Sequence, residues 1–279
     1  MIFVYSKWQE FCKKLNDLNI HGVTAMNIVE NNYSTPYLVL KHDVETDVKR
    51  ALEMAKIEYK YGHKGSYYVQ AYLLEDKNNI EILRKIKNLG HEVSYHYDVM
   101  DSNKGDIKAA DIEFEKNKKL FESNGFNVIT VCQHGNPIVE RIGYTSNRDF
   151  FRNKIIQKKY KKISDIMVNF KEYANTDYVY YSDAGRHFQM IFDPLFNDVI
   201  NSDNKNVKYE DLNQLLVKAE IGKSNCIIST HPHRWTNSAF VYRLKDFTFK
   251  VVKKIAKFLI KVPFFKKIMN KYYYLAKKI

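Results

Sequence analysis

The sequence predicts an α/β fold, a parallel (β/α) barrel extended at its C-terminal end by a basic amphipathic helical segment. Three observations predict it. Short apolar runs alternate with stretches of helical periodicity, and several of those stretches stop at a glycine just before the next run. Five of the runs end abruptly in polar or titratable residues, as strands do when their carboxyl ends converge on one face of a parallel barrel.

The elements follow in order. Residues 7–18 carry Trp8, Phe11, Cys12, Leu15 and Leu18 at helical spacing behind Ser6, a plausible N-cap. The run from Tyr37 to Leu40, bounded by Pro36 and too short for a helix, reads as a buried strand leading into His42-Asp43-Val44-Glu45. Helical periodicity over 46–61 (Val48, Leu52, Ala55, Tyr59) stops at Gly62, and a strand over 65–70 follows. Residues 78–89 (Ile80, Leu83, Ile86, Leu89) end at Gly90 before a strand over 92–95 that leads into His96-Tyr97-Asp98. Residues 109–124 (Ile112, Phe114, Leu120, Phe121) end at Gly125 before a strand over 128–131 and Cys132-Gln133-His134-Gly135. Strands over 178–181 and 227–230 lead into Ser182-Asp183 and His231-Pro232-His233, the second after a helix over 212–221 and Gly222. The stretch 136–177, with Arg141, Arg148, Arg152, Lys154 and a lysine-rich run at 158–162, reads as an insertion over the site or an exposed connection.

Length and composition fit one large domain. Residues 1–240 form the barrel and 241–279 the tail. Cys12, Cys132 and Cys226 are far apart, odd in number and without CxxC spacing, which excludes a disulfide framework and a zinc finger and suits a reducing compartment. With neither a signal peptide nor an apolar stretch of spanning length, a cytoplasmic protein is expected, peripheral at the inner membrane face if the tail binds lipid. The net charge is +13, but twelve Lys and Arg and a single acid, Asp246, lie at 243–279, so +11 of it sits there. No nucleic-acid partner is expected, because the charge belongs to the tail and not to a groove. In the tail, Leu244, Phe247, Val251, Ile255, Phe258, Leu259 and Val262 share one helical side, lysines hold the other, and Pro263 breaks the pattern. Two readings stand: a helix packed on its own barrel, or an anchor on an anionic membrane surface.

At the strand ends, Asp43, Glu45, His96, His134, Asp183 and His231 would share one pocket. Carboxylate and imidazole together suit zinc or another divalent metal with an open position for water. A nearby carboxylate could then take the proton of a metal-bound water as it attacks a carbonyl. His42, His91 and His187 are read as hydrogen-bonding residues, and the cysteines as core.

The chain resembles a known family in four ordered segments: His42-Asp43-Val44-Glu45, the stretch from Gly90 through His96 to Asp98, Tyr180-Tyr181-Ser182-Asp183-Ala184-Gly185-Arg186, and Ser229-Thr230-His231-Pro232-His233-Arg234-Trp235. These are similar to motifs of the polysaccharide deacetylase superfamily, closest to the branch whose first motif reads His-Asp-Val-Asp and which is linked to surface-polysaccharide biosynthesis. The resemblance implies a distorted barrel and metal-dependent removal of an acetyl group from a sugar of a polysaccharide or its precursor. It implies Asp43 as catalytic base, Glu45 and His96 as metal ligands and His231 as the acid for the leaving group. Arg186 would orient a carboxylate, with Asp183 beside it in the same motif; a structural Asp183–Arg186 pair is the other reading. The sequence departs from the family at Glu45, one methylene longer than Asp, and at Met100, where a second metal histidine is expected. Either another residue completes the site, His134 first and Asp98 second, or metal binds weakly or not at all. The alternative function is a degenerate barrel that binds glycan or a biosynthetic partner without turnover.

Overall fold

Every residue of the strand β2 (Leu38–Val44) is buried, because it lies at the middle of a parallel sheet covered on both faces. The computed structural model describes residues 2–31, 33–136, 139–183, 188–191 and 208–259. The other strands are β1 (Gly22–Val23), β3 (Gly65–Val69), β4 (Glu92–Tyr97), β5 (Thr130–Gln133), β6 (Ser164–Asp165), β7 (Val179–Ser182), β8 (Phe188–Ile191), β9 (Lys208–Tyr209) and β10 (Cys226–Thr230). Their order is β6-β5-β4-β3-β2-β10-β7-β8-β9, with β1 paired to the start of β2. From β6 to β7 every pairing is parallel; β8 and β9 add antiparallel. The sheet curls into a half-barrel.

The helices are α1 (Tyr5–Asp17), α2 (Ala25–Val29), α3 (Val48–Lys60), α4 (Lys77–Asn88), α5 (Val99–Ser102), α6 (Ile107–Ser123), α7 (Asp149–Arg152), α8 (Lys154–Lys159), α9 (Phe170–Ala174), α10 (Leu212–Lys218) and α11 (Ala239–Leu259). Alternation along the strands sorts the core into layers. On β2, Leu38 and Leu40 join Trp8, Phe11 and Leu15 of α1, whereas Val39 faces Tyr68, Cys132, Tyr180 and Ile227 inside the curl. There α2 and α9 supply Ala25, Ile28 and Phe170. Gly90 and Gly125, with φ of +88° and +87°, let α4 and α6 turn directly into the strands that follow.

Two sequence expectations change. Ser6 is no cap: α1 begins at Tyr5, behind Val4, whose backbone bridges Thr236. Side-chain caps stand on other helices, with Asp47 accepting from Lys49 and Arg50 N–H at α3 and Asp106 from Lys108 and Ala109 N–H at α6. The stretch 136–177 is no mere exposed connection, since Phe150 and Phe151 on α7 are fully buried against Phe114 and Tyr97 while β6 extends the sheet. At the C-terminus α11 is described to Leu259, and residues 260–279, with the expected break at Pro263, lie outside the described residues.

Candidate metal and acid–base site

Because side chains alternate across β2, the motif His42-Asp43 splits between two faces. His42 points outward, its Nε2 2.8 Å from Glu58 Oε1 and its Nδ1 2.7 Å from Thr230 Oγ1. Glu58 also accepts from Trp8 Nε1 at 3.0 Å and from the Tyr67 hydroxyl at 2.8 Å, and His91 Nδ1 stands 3.7 Å away. His42 and His91 are thus internal hydrogen-bonding residues; His187 lies outside the described residues.

Lys41 and Asp43 point into the curl. Lys41 Nζ sits 2.6 Å from both carboxylate oxygens of Asp43 and 3.1 Å from Ser229 Oγ. Burial pushes the Asp43 carboxyl up, but the Lys41 ammonium, with His96 and His231 nearby, more than offsets it and holds Asp43 below its usual range. Glu45 follows the end of β2. Burial acts against its charge as well, yet His134, His231 and His233 bring its carboxyl well below the usual value.

β4 and β5 run side by side with His96 opposite Cys132, which brings His96 and His134 within 5.2 Å of each other, ring centre to ring centre. His96 Nδ1 lies 3.0 Å from the Cys132 carbonyl. A carbonyl only accepts, so Nδ1 carries the proton and the Nε2 lone pair is free for a ligand. Burial lowers the His96 pKa to about 3, which keeps the ring neutral at ordinary pH. His96 Nε2 and His134 Nδ1 are buried without a hydrogen-bond partner among the described residues. His134 is fixed by its backbone, which donates to the Tyr97 carbonyl at 2.7 Å and accepts from Asn147 Nδ2 at 2.8 Å. One ligand atom each from Glu45, His96 and His134 lie within 4.8 Å of one another, and so do those of Asp43, His96 and Cys132. Either group could hold a metal ion. The donor set of the first fits a divalent transition metal: two imidazoles, one with its second nitrogen anchored to a carbonyl, and a carboxylate.

Beside them, Asp183 accepts from His231 at both oxygens, from Nδ1 at 2.5 Å and from the backbone N–H at 3.0 Å. Arg234 Nη1 donates to the Asp183 carbonyl at 2.7 Å and to Oδ1 at 2.9 Å. Burial opposes the charge of Asp183, but Arg234 and His231 outweigh it and hold the acid far below its ordinary range. With Nδ1 committed to Asp183, His231 turns Nε2 toward Asp43 Oδ2 and Glu45 Oε1, each 3.8 Å away.

The structure therefore brings together Asp43, Glu45, His96, His134, Asp183 and His231. Arg186 lies outside the described residues, and the arginine described against Asp183 is Arg234. Met100 is buried in the outer core on α5, and Asp98 joins neither ligand group found among the described residues. Sequence reasoning passed over Lys41, Arg234, Cys132 and His233, whose ring is lowered to about 3 by burial and feels Glu45. A lysine inside an apolar run two residues before Asp43 was the available signal for the first of them. The chain was compared with known protein families, characterised proteins and solved structures, and none matches.

Proposed function

We propose that the protein is a metal-assisted hydrolase that removes an acetyl group from an acetylated sugar of a polysaccharide or its precursor. The observation that carries this reading is the placement of a three-ligand group, Glu45, His96 and His134, against an Asp183–His231 pair and a second buried carboxylate, Asp43. A divalent metal, zinc by its donor set, would supply an activated water and polarise the acetyl carbonyl when bound to Glu45, His96 and His134. The chain's own residues do the rest. Asp43, anionic at ordinary pH, accepts a proton from water; His231, whose Nδ1–H is held by Asp183, takes that proton up at Nε2, 3.8 Å from Asp43 Oδ2, and passes it to the leaving nitrogen or oxygen. The resemblance of the four motifs to polysaccharide deacetylases supplies the acetylated-sugar substrate.

One observation favours a second reading, a barrel that binds glycan without turnover: Lys41 engages both oxygens of Asp43 at 2.6 Å, which weakens that carboxylate as a base. Metal content of the purified protein, with acetate release from N- and O-acetylated sugars, decides between them. The enzyme reading expects near-stoichiometric metal lost in His96→Ala, and acetate release lost in both His96→Ala and Asp43→Asn. Metal-loaded wild type that releases no acetate from any acetylated sugar tested would leave the binding reading.

A further inference from the structure

Most of the described residues bury their apolar side chains, but the first turns of α11 leave a stripe of them exposed. On α11, Phe240, Leu244, Phe247 and Val251 are 74, 57, 67 and 40% exposed. They recur at three- and four-residue intervals and so form a single stripe along the helix. Tyr242, about half a turn away around the axis, is the residue that seats the helix on the body, buried in the outer core with its ring 5.8 Å from that of Phe3. The stripe therefore faces away from the barrel, contrary to a helix whose apolar side packs on its own domain. Arg243, Lys245, Lys250, Lys253, Lys254 and Lys257 lie along the same helix, against one acid, Asp246.

We infer that α11 is an interfacial anchor for an anionic lipid surface. A stripe of Phe, Leu and Val needs an apolar phase and the surrounding cations need anionic groups; an anionic bilayer offers both in one plane. A second copy of the chain fits less well, because it would bring two helices of the same strong positive charge together. Nucleic acid would satisfy the lysines and leave the stripe in water. The anchor sits at the active-site end of the sheet. The turn that carries His233 (Pro232–Arg234) precedes α11 by four residues, and Arg50 at the start of α3 donates to the His233 carbonyl at 2.5 Å. Lys245 stands close enough to Arg50 and Asp47 to feel both charges. A lipid-bound α11 thus holds the strand-end face next to the membrane. On the hydrolase reading above, and only on it, the substrate class narrows to acetylated sugars carried at a lipid surface.

Co-sedimentation of the full chain with vesicles tests the anchor without any turnover, so it stands or falls apart from the hydrolase reading. Binding is expected to vesicles of equal parts phosphatidylglycerol and phosphatidylcholine, and to be lost on phosphatidylcholine alone or in high salt. Leu244→Ser/Phe247→Ser removes two apolar side chains from the lipid and should weaken binding roughly tenfold or more. Lys250→Gln/Lys253→Gln/Lys254→Gln should weaken it by a similar factor through the loss of positive charge. Thermal midpoints equal to wild type show that both variants fold. Equal binding to both vesicle types, binding to neither, or wild-type binding by the folded double-serine variant overturns the inference. So does a dimer in sedimentation velocity that the double-serine variant abolishes, since the stripe then belongs to a second copy.

Discussion

Five carboxylates in the sheet or just past its strand ends fall into two groups that burial alone does not separate. Glu92, which opens β4, and Asp165, level with Val131 inside β5, have raised pKa values: burial outweighs the Ser66, Thr130 and Met26 hydrogen bonds on Glu92, and it lifts Asp165 to about 6 despite the bonds from Tyr97 and Met167. Asp43, Glu45 and Asp183, at the site, are lowered, although Asp43 and Asp183 are buried too and Glu45 is largely so. The difference lies in the partners. Hydroxyls and backbone N–H groups meet the first pair, while an ammonium, a guanidinium and several imidazoles meet the second set. A buried acid is therefore a poor marker of a site by itself, and a buried acid kept ionised by cations at the open end of a barrel is a better one.

The largest effect is expected where a charged member is neutralised in place. Asp183→Asn keeps the shape but takes the negative charge from between His231 and Arg234 and no longer dictates the His231 tautomer. On the proposed reaction, acetate release should fall by about 10³ to 10⁴, with the fold retained by circular dichroism. Release within a few-fold of wild type would show that the strand-end charge has no part in the chemistry.

Next comes the cation beneath Asp43. Lys41→Met strands a buried carboxylate without its partner and should cost about 3–5 kcal/mol in urea unfolding. Lys41→Met/Asp43→Asn removes both charges and should recover most of that loss. A double variant no more stable than the single would mean that Lys41 acts through packing, which its contacts with the Tyr68 and Tyr180 rings make the alternative.

How far this grouping was legible in the sequence follows from the physics of each residue. The βα alternation was readable because α3, α4 and α6 each span three turns or more and close on glycine. The boundaries were less so: β4 runs on to Tyr97, since polar side chains such as His96 are tolerated within a strand when they face a polar interior. Helices α7 and α8, of four and six residues, are too short to show a period, so the aromatic core around Phe150 and Phe151 stayed hidden. Asp43, Glu45 and His231 were found from position at strand ends. His134 could be proposed but not placed, because its meeting with His96 depends on the pairing of β4 with β5. Arg234 was invisible, since its partner Asp183 is far away in sequence and only the β7–β10 pairing joins them.

Asp165 should show the opposite sign of pH dependence from the strand-end acids. Its folded pKa of about 6 lies above the unfolded value of 3.8. Its favourable contribution is thus complete below about pH 3.8 and is lost as pH rises through about 6. The loss is on the order of 3 kcal/mol. Asp165→Asn removes this titration, so the variant should gain stability relative to wild type between about pH 4 and pH 7 in urea midpoints. A difference that stays constant with pH would place Asp165 among the ionised acids.

The smallest effect is expected at Glu92, and its smallness is the point. Oε2 accepts from Ser66 Oγ at 2.6 Å and from Met26 N–H at 3.0 Å, while Oε1 pairs with Thr130 Oγ1, which in turn meets the Tyr68 hydroxyl at 2.7 Å. If the carboxyl is neutral, its O–H donates to Thr130, whose own proton passes to Tyr68. Glutamine reproduces that pattern, since an amide N–H at the Oε1 position donates to Thr130 and the amide oxygen keeps the two bonds at Oε2. Glu92→Gln should then cost no more than about 1 kcal/mol at pH 7. An ionised Glu92 would need both hydroxyls as donors, and the amide N–H would meet the Thr130 proton head-on, at a cost of about 2–3 kcal/mol. A loss of that size would move Glu92 across to the ionised group, and cationic partners would no longer separate the two sets of acids.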